Sequence, residues 1–321
     1  MNLEPKSLQE AIVYFSDPDN CIDYLAVRRW PDGTVVCPTC DSTSVSAFNR
    51  ERRTWKCSSH HAKREFSIKV GTVMEESPIG LDKWLTATWM VLNCKNGVSS
   101  CEIARTVRIT QKSAWFMLHR IRLALHDDSA GKLGGQVEMD ETFIGGKVKN
   151  MHKNRAIKSV AAKQRGIIGK TIVVGMLERN GRVKAQVVES RTQAVLHALV
   201  NEHLAPGTIL VSDEHGGYKG TDFEHQVINH AIEYVNGKIH TNGIENFWSL
   251  LKRGLNGTYV SIEPFHLFRY LDEQMFRYNN RSTKKRNVTD ADRFTAALLN
   301  FPGKRLTFAE LTGKVCETSA F

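Results

Sequence analysis

The chain has 321 residues, 44 of them basic (Lys or Arg) and 34 acidic, which gives a formal net charge of +10 at pH 7. Charged residues make up 24% and hydrophobic residues 41%, so a generally disordered chain is excluded and two or three domains can each bury a core. The excess of basic residues favours a polyanionic partner such as nucleic acid.

No secretory signal or membrane span is predicted. The N-terminus, Met-Asn-Leu-Glu-Pro-Lys, lacks the basic-then-apolar order of a signal peptide, and no run approaches the roughly 18 apolar residues that cross a bilayer. We therefore expect a cytoplasmic protein without a membrane partner. In a reducing compartment, clustered cysteines indicate metal binding.

Residues 1–30 predict a small helical lead-in, because Ser7 and Glu10 form a capping-box pattern ahead of an apolar stripe. No chemistry is assigned to this segment.

Residues 31–75 carry cysteines spaced for a metal ion. Cys37-Pro-Thr-Cys40 is followed after 16 residues by Cys57-Ser-Ser-His60, which is the spacing of a tetrahedral structural zinc site with three Cys ligands and one His ligand. The prediction is a zinc ribbon with Cys37, Cys40, Cys57 and His60 as ligands. His61 is the alternative fourth ligand, and a Cys37–Cys40 disulfide or simple buried thiols are the alternatives to zinc.

Residues 76–128 predict helices with the layout of a helix-turn-helix. Ser99 or Ser100 can cap one helix and Thr110 the next, with a short turn at Arg108-Ile109 between them. In this layout the second helix would place one group near bases and another near phosphates. The base-facing group is Gln111, Lys112, Ser113 and Trp115, and the phosphate-facing group is Arg120 and Arg122. Any helical hairpin fits the apolar pattern equally well.

A linker over residues 129–135 precedes the third predicted domain, 136–290, which opens with a strand over Gln136–Ile144. Val137, Met139 and Phe143 alternate with polar positions, so they face a core while Asp140 points the other way. The following segment, 147–170, reads as a basic loop. It is either a solvated charge run or an arm that grips phosphates.

Two further strands form a hairpin, since Asn180-Gly181 between them suits a tight turn. A helix from Thr192 to Leu204 then leads to the apolar run Thr208–Asp213, which predicts a buried strand with Asp213 at its carboxyl end. This order suggests a crossover back into the same sheet.

The segment His240–Arg253 predicts a helix with Glu245 on a polar face. Ile244, Phe247, Trp248 and Leu251 form the buried stripe. Helix capping with Asn242 is the alternative role for Glu245. A later helix, Leu267–Tyr278, is expected to pack on the sheet, and residues 291–321 are expected to be a C-terminal tail.

Three acids, Asp140, Asp213 and Glu245, thus lie on predicted rigid elements. If they converge, their oxygen ligands and negative charge suit two Mg²⁺ or Mn²⁺ ions. Such an ion pair can activate a water or a 3′-hydroxyl on one side of a phosphate and stabilise the leaving oxygen on the other.

The motifs that carry these acids resemble those of a known family. Asp140-Glu-Thr-Phe-Ile-Gly-Gly-Lys147, Ser212-Asp-Glu-His-Gly-Gly-Tyr218 and His240-Thr-Asn-Gly-Ile-Glu-Asn-Phe-Trp-Ser-Leu-Leu-Lys-Arg253 are similar to motifs of DDE transposases of bacterial insertion sequences. The similar branch is the ISXO-like one, which has an N-terminal zinc ribbon. Its last ribbon ligand is expected to be cysteine where this chain has His60, and some relatives have asparagine in place of Glu245.

The resemblance implies a multidomain α+β chain with an RNase H-like catalytic domain, in which a mixed sheet is flanked by helices. It also implies that Asp140, Asp213 and Glu245 are catalytic metal ligands and that Lys252 is a catalytic partner. Lys252 and Arg253 are both expected to contact DNA. The expected function is a transposase that binds terminal inverted repeats, cuts a strand and joins the 3′-hydroxyl to target DNA as a dimer or larger assembly. Two alternatives are a zinc-ribbon DNA-binding regulator with a silent C-terminal domain and an RNase H-like nuclease without strand transfer.

Overall fold

The computed structural model describes residues 4–127, 131–146, 169–213, 216–228, 241–260 and 262–314. The chain divides into a first unit, Met1–Asp127 with Asn280–Phe321, and a second unit, Asp128–Asn279. Within the described ranges, no helix is both long enough and apolar enough to cross a membrane. Most of the predicted basic loop, 147–168, lies outside the described residues.

The first unit begins with helices α1 (Leu8–Phe15) and α2 (Pro18–Arg29). Ser7 caps α1 by accepting a hydrogen bond from the backbone N–H of Glu10 at 3.2 Å, as the sequence predicts. Two short antiparallel strands follow, β1 (Trp55–Lys56) and β2 (Glu65–Phe66). Strands this short contribute little stability by themselves, so cross-linking by a metal ion would matter here.

Three helices come next, α3 (Leu81–Asn93), α4 (Ser100–Val107) and α5 (Gln111–Leu125). Ser99 caps α4 in a capping box with Glu102, and Thr110 caps α5. Both caps and the turn between the helices are where the sequence predicts them. Arg108 ends α4 in the left-handed conformation, with φ of 51°.

The segment predicted as a C-terminal tail is instead partly helical and belongs to the first unit. It contains α9 (Asp290–Leu299) and α10 (Phe308–Leu311). Phe294 of α9 is fully buried and its ring contacts those of Phe15, Tyr24 and Trp89. The prediction of a tail was wrong, because Phe294, Ala297 and Leu298 form a short apolar stripe that is buried in the core of the first unit.

The second unit is built on a five-stranded sheet in the order β5-β4-β3-β6-β7. Its strands are β3 (Gln136–Ile144), β4 (Thr171–Glu178), β5 (Val183–Val188), β6 (Ile209–Asp213) and β7 (Glu224–Ile228). β3, β4 and β5 are antiparallel neighbours, whereas β6 lies parallel to β3 and β7 parallel to β6. The mixed sheet, the hairpin and the crossover into β6 confirm the predicted α+β organisation; β7 was not predicted.

Helices cover both faces of this sheet. Helix α6 (Gln193–His203) packs on the face that Val137 and Met139 present. Helices α7 (Asn242–Gly254) and α8 (Leu267–Asn279) form the core of the other face. Successive side chains of a strand point to opposite faces, so Glu138, Asp140 and Thr142 of β3 lie on the α7 side.

Candidate catalytic centre and metal site

Asp140 and Asp213 are carried by adjacent parallel strands. The β3–β6 register pairs Gln136 with Ile209 and Glu138 with Val211. The same register, extended by two residues, sets Asp140 opposite Asp213, and parallel partners in register share a face of the sheet. Asp213 ends β6. The sheet topology thus brings together two acids that are 73 positions apart in the sequence.

The Asp140 carboxylate is half-buried and accepts two hydrogen bonds from neutral donors. The Trp248 indole Nε1 donates to Oδ2 at 3.0 Å, and the backbone N–H of Glu141 donates to Oδ1 at 2.8 Å. The pKa of Asp140 is raised to about 6: burial is the main cause, the charges of Glu141 and Asp213 act in the same direction, and the two hydrogen bonds oppose them. A carboxylate in this environment would gain from a bound cation.

A glycine makes the contact between Trp248 and Asp140 possible. Gly175 of β4 is the register partner of Asp140. A Cβ atom at Gly175 would lie 2.5 and 2.6 Å from two carbons of the Trp248 ring and 2.8 Å from Ile244 Cδ1. Since real Cβ atoms do not approach so closely, only glycine at this position lets α7 lie against the sheet.

Helix α7 carries Glu245 one helical turn before Trp248. Ile244, Phe247, Trp248 and Leu251 are buried, as the sequence predicts. The exposed side chains of this helix include Glu245, Ser249, Lys252 and Arg253. Residues three apart on a helix are neighbours, with about 5–6 Å between their Cβ atoms. Glu245 therefore lies beside the ring that contacts Asp140.

The hydrogen bonding of Glu245 differs from the capping alternative. Thr241, and not Asn242, is the N-cap residue of α7, and its hydroxyl donates to Glu245 Oε1 at 3.2 Å. In the described part of the chain, the three acids are not a group whose ligand atoms all lie within 4.8 Å of one another. Such a group is found in the first unit.

Cys37, Cys40, Cys57 and His61 place four ligand atoms within 4.8 Å of one another. Cys40 Sγ lies 3.7 Å from Cys57 Sγ, and Cys37 Sγ lies 3.5 Å from His61 Nε2. A tetrahedral zinc with bonds of about 2.3 Å to S and 2.0–2.1 Å to N requires separations of about 3.8 Å (S to S) and 3.6 Å (S to N). The donor types and the spacing both fit this ion.

His61, and not the predicted His60, completes this group. His60 is exposed, whereas His61 is half-buried and directed at Cys37. The spacing of two intervening residues favoured His60, but the path of the chain after Cys57 places His61 beside the cysteines. The alternative ligand that the sequence left open is therefore the one that the structure presents.

Comparison with known proteins places the chain in a family. The family model of the ISXO2-like transposase domain matches residues 132–279, and the model of the transposase zinc-ribbon domain matches residues 16–61. A "transposase-like protein" of Haemophilus influenzae, itself uncharacterized, is 32% identical over 106 residues, which are 32% of this chain and 85% of that protein. The chain belongs to the ISXO2-like transposase family. An uncharacterized protein in transposable element ISH50 of Halobacterium salinarum is 25% identical over 242 residues, 72% of this chain and 81% of that protein.

The two matched regions of this transposase contain the two sites. The transposase-domain match covers β3 to α8, and so includes Asp140, Asp213 and Glu245. The zinc-ribbon match ends at residue 61, which is the histidine that the structure sets beside Cys37.

The residues predicted to contact DNA through α5 fall into two groups. Gln111 and Lys112 are exposed at the start of the helix, whereas Ser113 and Trp115 are half-buried. Trp115 packs edge-on against His119 and Phe308, at ring-centroid distances of 4.7 and 6.5 Å. The first two side chains are thus presented to a partner more fully than the second two.

Arg120 and Arg122 do not lie where the prediction put them. They are only 5% and 1% exposed. Arg120 donates a hydrogen bond to the backbone carbonyl of Glu75 and lies over the rings of Trp84 and Phe116. The prediction that both arginines lie near phosphates is wrong, because the long side chains are folded into the core of the first unit.

Sequence reasoning missed Glu138, a buried acid two residues before Asp140. Its carboxylate accepts a hydrogen bond from the backbone N–H of Ile244 in the first turn of α7 at 3.0 Å. The available signal was the alternation of side chains along a strand, since residues two apart on a strand share a face. An acid on the same side as Asp140, in a stretch otherwise read as core, indicates either a ligand or a residue that positions one.

Proposed function

We propose that this transposase binds the terminal inverted repeats of an insertion sequence and catalyses metal-dependent DNA strand cleavage and strand transfer. The proposed catalytic residues are Asp140, Asp213, Glu245 and Lys252, on an RNase H-like domain. The observation that carries the proposal is the junction at Asp140, where β3 lies in register with the strand of Asp213 and accepts a hydrogen bond from the helix of Glu245.

The three acids fit hard divalent cations. Their donor atoms are carboxylate oxygens, which Mg²⁺ and Mn²⁺ prefer. The Asp140 carboxylate receives hydrogen bonds from an indole and an amide, which are both neutral, while Asp213 and Glu141 add negative charge beside it.

We propose separate roles for the side chains of this site. Two bound Mg²⁺ or Mn²⁺ ions would activate the attacking water or 3′-hydroxyl and stabilise the leaving oxygen. Asp140, Asp213 and Glu245 would hold these ions through their carboxylate oxygens, and Trp248 holds the Asp140 carboxylate in place. Lys252 and Arg253, exposed on the same helix as Glu245, neutralise phosphates of the bound strand.

We assign DNA recognition to the first unit. Cys37, Cys40, Cys57 and His61 would hold a structural zinc ion, and α4 and α5 would act as a helix-turn-helix. Gln111 and Lys112, exposed at the start of α5, would then contact the repeat. The net charge of +10 supports binding to a polyanion. Two element ends must be held together for transposition, so the active form would be a dimer or larger, acting on DNA in the cytoplasm.

The experiment compares the wild-type transposase with Asp140→Asn on a labelled donor end and a supercoiled plasmid. We expect the variant to bind terminal repeats with wild-type affinity and to lose Mg²⁺-dependent nicking and joining. Cleavage that persists in a purified variant would reject the site. Wild-type nicking without joined products would indicate a nuclease, and repeat binding without any nicking would indicate a regulator with a silent second unit.

A further inference from the structure

We infer that Glu138 is a positioning residue of the catalytic centre: its buried carboxylate fixes the first turn of α7, and thereby Glu245, relative to Asp140. This inference rests on the proposed function, since it assumes that Glu245 and Asp140 serve the same metal centre. It assigns a role to an acid that does not itself coordinate the ions.

Glu138 is 2% exposed and both of its carboxylate oxygens have partners. Oε2 accepts the N–H of Ile244 at 3.0 Å, and Oε1 lies 3.3 Å from an Nη atom of Arg179. Arg179 is itself held by the side chain of Gln136, at 2.6 Å. A buried carboxylate that is charge-paired and hydrogen-bonded in this way is fixed in space. It is occupied as an anchor and is not presented to solvent as an ion ligand.

The start of α7 offers hydrogen-bond donors to this carboxylate. The first N–H groups of an α-helix have no partner within the helix, and they carry partial positive charge. The N-cap residue Thr241 makes no side-chain capping bond to them. Glu138, on the neighbouring strand β3, accepts one of these N–H groups with its side chain, that of Ile244.

Gly243 leaves the space that the contact between Glu138 and the first turn of α7 requires. A Cβ atom at Gly243 would lie 2.7 Å from Glu138 Oε2 and 2.5 Å from Leu177 Cδ2. Only a residue without a side chain allows the helix start to approach β3 this closely. The glycine in the stretch Asn242-Gly-Ile-Glu245 is therefore explained by the anchor.

The two attachments of α7 to β3 have matching lengths. Glu138 holds Ile244, and Asp140 holds Trp248. Two residues of a strand span about 6.6–6.8 Å, and four residues of a helix rise about 6 Å. Because the spacings agree, one turn of α7 is fixed at both ends against one segment of β3. Glu245 lies inside that turn, so its distance from Asp140 is set by the anchor.

The test measures Mn²⁺ binding to the full-length, zinc-loaded protein by isothermal titration calorimetry. Glu138→Gln keeps the size and one acceptor oxygen but loses the charge that pairs with Arg179. We expect its dissociation constant for Mn²⁺ to rise about 10- to 100-fold, the range for residues that orient metal ligands. The Mn²⁺ concentration for half-maximal nicking should rise with it, and hydrogen exchange at the Ile244 amide should be faster.

A matched control separates positioning from stability. Asp272 is also a buried carboxylate of the second unit, 2.9 Å from its partner Arg269 on α8. Asp272→Asn should lower stability and leave Mn²⁺ affinity at the wild-type value. Should Glu138→Gln not fold, Gly243→Ala takes its place, since it displaces the same turn and keeps the Glu138–Arg179 pair.

The outcomes distinguish a failure of the positioning role from a failure of the proposed metal centre. Suppose that Asp140→Asn abolishes Mn²⁺ binding, but that a folded Glu138→Gln, or Gly243→Ala in its place, leaves it unchanged. This result overturns the positioning role alone. Wild-type protein without Asp140-dependent Mn²⁺ binding overturns the proposed metal centre and this inference with it. Weaker binding in the Glu138 variant and unchanged binding in the Asp272 variant supports it.

Discussion

Replacing Asp140 by asparagine should make the metal-free transposase more stable at neutral pH, although it removes a proposed catalytic residue. The pKa of Asp140 is raised from 3.8 to about 6, mainly by burial. Above pH 6 the folded protein therefore holds a charge that the unfolded chain would expose to water. Asparagine keeps the shape of the side chain without this charge.

The size of the effect follows from the pKa. A rise from 3.8 to about 6 corresponds to roughly 3 kcal/mol at most, at about 1.4 kcal/mol per pKa unit. Water that reaches the half-buried group reduces this value. Asparagine also has one acceptor oxygen for two donors, Trp248 and the Glu141 amide, and the lost hydrogen bond costs about 1 kcal/mol. We expect a net gain of about 1–2 kcal/mol for Asp140→Asn.

The sign of the pH dependence is fixed by the same numbers. Since the pKa is higher in the folded state, the wild type loses stability as pH rises from about 4 to 6, and Asp140→Asn does not. The gain should thus be present at pH 7.5 and disappear near pH 4. Added Mn²⁺ should reverse the order, because an ion at 100 times its dissociation constant stabilises the wild type by about 2.7 kcal/mol.

The assay is hydrogen exchange of peptides from β3 and β4, with variant and wild type compared at each pH, because it reports on the second unit by itself. Asp272→Asn is the control of opposite sign: it breaks a buried ion pair with Arg269 and should destabilise the unit. A metal-free Asp140→Asn protein that is less stable than the wild type at pH 7.5 would refute the reasoning.

Three further predictions concern glycine packing, the zinc site and DNA binding. Gly175→Ala should cost about 1–3 kcal/mol by overpacking against Trp248 and should speed exchange in α7; exchange at the wild-type rate would contradict the close contact. Cys40→Ser should release zinc, measured by mass spectrometry of the metal content, and full retention would exclude this ligand set. Lys112→Gln should weaken repeat binding and lower the slope of log binding constant against log salt concentration by about 1. Arg120→Gln should lower only the stability of the first unit. A change of the salt slope in the Arg120 variant would show that this buried side chain reaches DNA.

The sequence by itself determined the local structure. The strand over Gln136–Ile144 has the predicted bounds, the Asn180-Gly181 turn joins β4 to β5, and Ser99 and Thr110 cap their helices. These features depend on residues a few positions apart, so alternation, helical periodicity and capping are enough to reveal them. The motifs with the three acids and the paired cysteines were readable for the same reason.

Only the tertiary structure decided which side chains are buried or paired across distant parts of the chain. It set His61 beside Cys37, buried Arg120 and gave Glu138 the first turn of α7 as its partner. Ile244 is 106 positions from Glu138, and no local pattern records such a contact. Periodicity shows which face of an element is apolar, but what a polar group meets on that face depends on how the elements pack.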